Sequence, residues 1–277
     1  MSSNEQITVA QLARLVGLPD APAIIDVRID EDVEADPTFL PAAERRDYRK
    51  VADWAQAYAG GRRVVVVCHQ GQKLSEGTAA WLRHAGIAAE SLEGGHVAWR
   101  QAGCLVFSPA RLPPQRPSGG SVWVTRARPK VDRIACPWLI RRFVDARAMF
   151  LFVAASEVEA VAERFGATPF DIEGVFWSHR GERCSFDIMI EEFGLKSPAL
   201  DALARIVRAA DTATLEAEPR AAGLLAASLG LSRMFKHDLE QLEAGMLLYD
   251  AFYRWCRDAS EETHNWPSAR PAGEARR

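Results

Sequence analysis

The chain has 277 residues, 48% of them hydrophobic and 26% charged, a globular composition at a length comfortable for two domains. Its formal net charge of −3 gives no electrostatic case for nucleic-acid binding, and its longest apolar run, Ala148 to Ala155, is far too short for a membrane span. Five scattered cysteines, and a start (Met1 to Gln6) without the basic or apolar region of a signal peptide, lead us to expect reduced thiols in the cytoplasm.

In chain order, the first strong element is Val64-Val65-Val66-Val67, four β-branched residues that predict a buried strand. Cys68 stands at its C-terminal end. After the six residues His69 to Leu74, Ser75 is expected to cap a helix through Ala79, Ala80, Trp81 and Leu82. A thiol so placed faces a turn of backbone N–H groups and the positive end of a helix dipole, which favour the thiolate. Gly71 allows close backbone approach, and strand-to-helix turns are where α/β proteins bind ligands. We therefore expect Cys68 to be a reactive nucleophile; packing is the commoner role of a free cysteine.

Residues 109–121 hold four prolines and two glycines with one large apolar residue, and predict an extended linker that cannot pack a core. Beyond it, Val122 to Arg126 alternates like a strand, and Met149 to Val153 predicts another. Pro137 is expected near the start of a helix over Trp138 to Val144. Ser156 with Glu159 predicts a capping box opening a helix that Gly166 ends after Phe165. Ser197-Pro198 predicts a further helix start. Helices are also expected from about Ala221 to Leu229, and from after Ser232 to roughly Trp255 along Leu239, Leu242, Met246, Tyr249 and Tyr253. Residues 259–277 are polar and expected to be disordered.

Two polar groupings in the second half invite chemistry. The cations Arg126, Arg128, Lys130, Arg133, Arg141 and Arg142 cluster near a helix start and suit a tetrahedral dianion such as chromate, sulfate or thiosulfate; a solvated charged face is the equal alternative. His179, Cys184, Asp187, Asp211, His237 and Asp238 offer a mixed donor set for zinc or iron. His179 and Cys184 flank a turn at Arg180-Gly181-Glu182 and can approach each other across a hairpin. No closely paired ligand spacing supports the site, and structural roles for these residues stay open.

Three ordered segments carry a resemblance. Ala23-Ile24-Ile25-Asp26-Val27-Arg28, the Cys68 loop, and Leu92-Glu93-Gly94-Gly95-His96-Val97-Ala98-Trp99-Arg100-Gln101-Ala102-Gly103 together resemble a rhodanese-type sulfurtransferase module over residues 5–108. The resemblance implies an α/β domain with a central parallel sheet flanked by helices, and a persulfide on Cys68. It also implies a substrate loop of His69, Gln70, Gly71, Gln72 and Lys73, with Lys73 where the family often has arginine. Leu74 replaces a small hydroxyl residue, which is expected to alter anion binding. The family's Ile-Pro-Gly-Ala turn is here Leu40-Pro41-Ala42-Ala43, a change expected to affect only a turn.

The stretch Thr125 to Phe143, with Pro169-Phe170-Asp171-Ile172, His179, Cys184-Ser185-Phe186-Asp187 and Ala209-Ala210-Asp211-Thr212, resembles the C-terminal domain of ChrB-type chromate-resistance proteins. It spans residues 122–258, expected to be a mostly helical α+β domain. The resemblance implies a role in chromate resistance; members that regulate on DNA carry a different N-terminal domain. The joint expectation is a sulfurtransferase using thiosulfate or a persulfide as donor and a thiol as acceptor. No cofactor is expected for sulfur transfer; zinc or iron and chromate are expected as ligands of the second half, with no nucleic-acid or membrane partner. The competing expectation is a chromate or metal sensor in which a degenerate rhodanese fold serves for docking.

Overall fold

The computed structural model describes residues 5–116 and 119–262. The first half contains β1 (Gln6–Ile7), α1 (Val9–Leu15), β2 (Ala23–Asp26), α2 (Asp30–Ala35), β3 (Glu44–Arg45), α3 (Val51–Trp54), β4 (Val64–Val67), α4 (Lys73–His84), β5 (Ala89–Leu92) and α5 (Gly95–Gln101). The strands form one parallel five-stranded sheet in the order β1-β5-β4-β2-β3. All four valines of β4 are fully buried because both sheet faces are covered. Side chains alternate along a strand. Val65 and Val67 therefore join one apolar cluster, while Val64, Val66 and Cys68 join another with Ala79 and Leu82 of α4.

The second half contains β6 (Val122–Arg126), α6 (Asp132–Leu139), β7 (Met149–Val153), α7 (Val158–Phe165), β8 (Thr168–Pro169), α8 (Ser185–Glu192), α9 (Pro198–Asp211), α10 (Ala221–Met234) and α11 (Asp238–Asp258). Its three short strands are parallel in the order β7-β6-β8, and helices supply most of its mass. The expected fold class holds: an α/β half with a central parallel sheet, then a mostly helical half.

Several local expectations change. α6 starts at Asp132, so Pro137 lies inside it; the helix forgoes one amide donor there and loosens into a π turn over Ile140–Val144. A 3-10 turn over Ala155–Glu157 precedes α7, and no side chain caps that helix, although Gly166 ends it with φ +58°. α10 absorbs Ser232, and α11 begins after His237. Residues 263–277 of the expected tail lie outside the described residues. Among the described residues, no helix is long and apolar enough to cross a membrane.

The halves share one core. Ile7, Leu12, Val16, Phe39, Leu40 and Phe107 belong to the same buried cluster as Trp123, Trp138, Phe143, Phe186 and Tyr253. Phe143 is the pivot. Its carbonyl accepts the Ala42 amide at 2.8 Å, and its ring packs edge-on against Tyr253 at 5.3 Å between centroids. Gly17 has φ +77°, and a Cβ there would stand 2.6 Å from the ring. The expectation that residues 109–121 cannot pack is corrected. Leu112 lies against the shared core, Pro113 is buried, and buried Ser121 donates to Asp145 at 2.7 Å through its hydroxyl. Leu112 and Pro113 suffice because they lie on an existing apolar seam.

Removing the Phe143 ring empties a site that both halves line, at a cost of about 3 to 5 kcal/mol. Urea unfolding of Phe143→Ala, followed by tryptophan fluorescence, should show a lower midpoint in one transition. Two separated transitions in the wild type would contradict a shared core.

Candidate functional site

The first locus is the turn after β4. Cys68 is 5% exposed, and the backbone around it is drawn tight. Its carbonyl accepts the His96 amide at 2.9 Å, and the His69 carbonyl accepts the Val97 amide at 3.0 Å, so the start of α5 clamps the loop. Gly71 has φ +69°, and a Cβ there would collide with the Leu92 carbonyl and the amides of Gly94 and Gly95. The close approach expected at Gly71 is thus a packing of backbone on backbone.

The helix begins at Lys73 with Gln72 as N-cap, so Ser75 sits within the first turn and does not cap it. Fully buried Ser75 places its hydroxyl 3.1 Å from the Cys68 sulfur and 3.1 Å from the Gln72 carbonyl. The sulfur also lies 3.8 Å from that carbonyl. Gln70, Gln72 and Lys73 are exposed, His69 is half-buried 3.9 Å from Asp32, and Leu74 packs on the cluster containing Cys68. Next to the loop, the buried pair Asp26–Arg28 at 2.8 Å holds the end of β2, and Arg28 donates to the Asp36 and Thr38 carbonyls. Burial pushes the Cys104, Cys136 and Cys184 thiols up, and the Cys256 thiol to about 11.

The second locus lies beyond the carboxyl ends of β6 and β8. His179 Nε2 stands 3.6 Å from Asp132, 3.5 Å from Asp171 and 3.2 Å from Asp211. Asp132 opens α6, Asp171 follows β8, Asp211 ends α9, and His179 comes from the loop before α8. Ser185 donates to Asp171 at 2.7 Å, the Phe186 amide to Asp132 at 3.2 Å, and Arg133 lies 3.3 Å from Asp171. Burial, then Asp211 and Asp171, holds the Asp132 carboxyl well above its usual range; burial and Asp171 also raise Asp211. Hydrogen bonding to Asp171 and the surrounding carboxylates push His179 up to about 9.

The other expected site residues disperse. Cys184 is buried as the N-cap of α8, where Asp187 accepts its amide at 3.0 Å and pairs with Arg208; its thiol neighbours Asp132 but stays outside the converging donor atoms of Asp132, His179 and Asp211. Across the turn, the antiparallel bridge joins Arg180 to Arg183. His237 is exposed at the start of α11, and Asp238 accepts the Arg128 amide at 3.2 Å. The cations do not converge. Arg126 and Lys130 are exposed, Arg128 ties to the Phe235 and Ser232 carbonyls, Arg141 pairs with Glu243, and Arg142 is bidentate to Asp250. Only Arg133 faces the carboxylates.

A cavity of about 880 Å³ follows the seam between the halves beside Arg45, Arg62, Arg141 and Arg147, away from both loci. Three of those cations are engaged, Arg45 with Asp30, Arg141 with Glu243 and Arg147 with Glu44.

Residues 123–256 match the family described as "ChrB, C-terminal domain". The protein ChrB of Cupriavidus metallidurans is 42% identical over 76 residues, covering 27% of this chain and 22% of that protein's length. Among solved structures, a rhodanese-like domain protein from Staphylococcus aureus is 27% identical with a TM-score of 0.31, covering 34% of this chain and 90% of its own. A rhodanese-related protein from Thermoplasma volcanium is 19% identical with a TM-score of 0.33, covering 37% of this chain and 96% of its own.

His96, which clamps the Cys68 carbonyl, has its ring buried against the Thr38 carbonyl at 3.1 Å, and burial lowers its pKa to about 4. The unfolded chain binds this proton at about pH 6.5, so stability should fall as pH drops from there towards 4. Urea midpoints measured across that window should slope less steeply in His96→Gln. An unchanged slope would show that another group governs the acid limb.

Proposed function

We propose that the chain is a rhodanese-type sulfurtransferase that carries sulfur on Cys68 and serves a chromate or related oxyanion stress response. The observation that supports this most directly is a cysteine at the carboxyl end of the central strand of a parallel sheet, followed after a four-residue loop by the first turn of a twelve-residue helix. The stress-response part rests on likeness to ChrB-type domains over residues 123–256.

In the proposed cycle, the Cys68 thiolate attacks the outer sulfur of thiosulfate. A Cys68 S–S bond forms, the bond between the two thiosulfate sulfurs breaks, and sulfite leaves with its electron pair. A thiolate acceptor then takes the outer sulfur as its own persulfide and restores the Cys68 thiolate. Loop amides and Lys73 would stabilise the anionic donor and the leaving group. The Ser75 hydroxyl, 3.1 Å from the sulfur, can donate to the thiolate and release it when the persulfide forms. No redox partner is needed, because sulfane sulfur is transferred without net change between donor and acceptor.

Thiosulfate-to-cyanide transfer should fall at least about a thousandfold in Cys68→Ser with an unchanged melting temperature. Lys73→Ala should mainly raise KM for thiosulfate. Alkylation at neutral pH should label Cys68 ahead of the four thiols that burial raises. Full activity in Cys68→Ser would refute the assignment. No activity in the wild type, with ligand binding intact, would favour the sensor in which the rhodanese fold is a docking platform.

A further inference from the structure

We propose that Asp132, Asp171, His179 and Asp211 hold one divalent first-row transition-metal ion in a site open to solvent on one side. The inference is independent of the sulfur chemistry proposed for Cys68.

Geometry is the first support. Donor atoms sharing an ion at about 2.1 Å stand about 3.0 to 3.4 Å apart in octahedral and tetrahedral arrangements. The three carboxylates lie 3.2 to 3.6 Å from His179 Nε2, and one donor atom each from Asp132, His179 and Asp211 fall within 4.8 Å of one another. The cluster also lies where parallel strands direct their ligands, beyond the carboxyl ends of β6 and β8.

An orphaned atom is the second support. Asp132 is 0% exposed, and its Oδ1 has no hydrogen-bond partner among the described residues. A buried carboxylate with a free oxygen among other carboxylates is costly unless a cation completes it. When an ion displaces the His179 proton, three carboxylates beside Arg133 leave two negative charges, which a divalent ion cancels.

The frame around the cluster is built to hold it. Ser185 and Arg133 fix Asp171, the Phe186 amide fixes Asp132, and the Asp132 amide points at Asp211 from 3.5 Å. Tyr249 of α11 donates to the Val131 carbonyl at 2.9 Å, just before Asp132. Val131 and Asp171 both have positive φ, +39° and +50°, a strain that this framework sustains. The His179 side chain is 41% exposed, which leaves an approach for the ion and positions for water or another ligand. Three oxygens and one imidazole suit manganese(II), iron(II) or zinc, and disfavour copper(I).

The full chain, stripped with a chelator, should be titrated calorimetrically with manganese(II), anaerobic iron(II) and zinc, with melting temperatures recorded alongside. At least one ion should bind at one per chain with a Kd of about 10 μM or tighter and raise the melting temperature. Asp132→Asn and Asp211→Asn should each weaken it at least about tenfold, whereas Cys68→Ser should bind as wild type. Metal-free Asp132→Asn should melt no lower than wild type, since a buried charge is gone. The proposal is overturned if none of the three ions binds, or if both Asn variants bind like wild type. It is equally overturned if Asp132→Asn melts well below wild type with no ion bound, the signature of a permanent carboxylate–imidazolium pair.

Discussion

The helical segment Asp132–Val144 is the element on which the rest depends. From Ile134 to Ile140 every side chain is buried, so the segment is packed on all sides instead of along one stripe. Its first residue, Asp132, stands among Asp171, His179 and Asp211; its far end carries Phe143 into the first half. The electrostatic cluster and the seam between the halves are therefore the two ends of one buried segment. Pro137 and the π turn interrupt the regular hydrogen bonding of the segment, and Trp138 is anchored to Asp250 by its indole N–H at 2.8 Å.

Both loci obey the same rule of parallel sheets. Cys68 follows β4, and Asp171 follows β8, each where the chain leaves a strand and the helix after it, α4 or α8, brings amides or a hydroxyl back towards the turn. The first locus is compact and clamped by the amides of α5, which suits a single covalently bound atom. The second gathers four side chains from distant parts of the chain, which suits an ion. Their residue sets do not overlap, so sulfur chemistry and ion binding can be dissected by separate substitutions.

The parts legible in the sequence are those with local causes. Four consecutive valines announce β4, Ser197-Pro198 announces α9, and Gly166 announces the end of α7. The Cys68 loop is recognisable because its residues are contiguous. Asp132 is another matter. Nothing local distinguishes an acid at a helix start from an ordinary first-turn charge; what makes it unusual is burial beside Asp171 and Asp211, 39 and 79 residues away by their numbers. The same long range brings His179 in and sets the Cys184 thiol beside Asp132, while Asp187 and His237 keep local capping or surface roles. Pro137 misleads for the opposite reason, since a rule about helix starts is overridden by packing on every face. The linker misleads because one leucine on a preformed seam outweighs a composition poor in apolar residues.

The central chemical claim is that Cys68 accepts a sulfur atom. Intact-protein mass spectrometry after incubation with thiosulfate, followed by peptide mapping under non-reducing conditions, tests it without any acceptor or coupled assay. The account predicts a gain of one sulfur, about 32 Da, carried on the peptide containing Cys68, lost on adding cyanide and absent from Cys68→Ser. A chain that gains no sulfur, or gains it on Cys104 or Cys256 instead, would contradict the account.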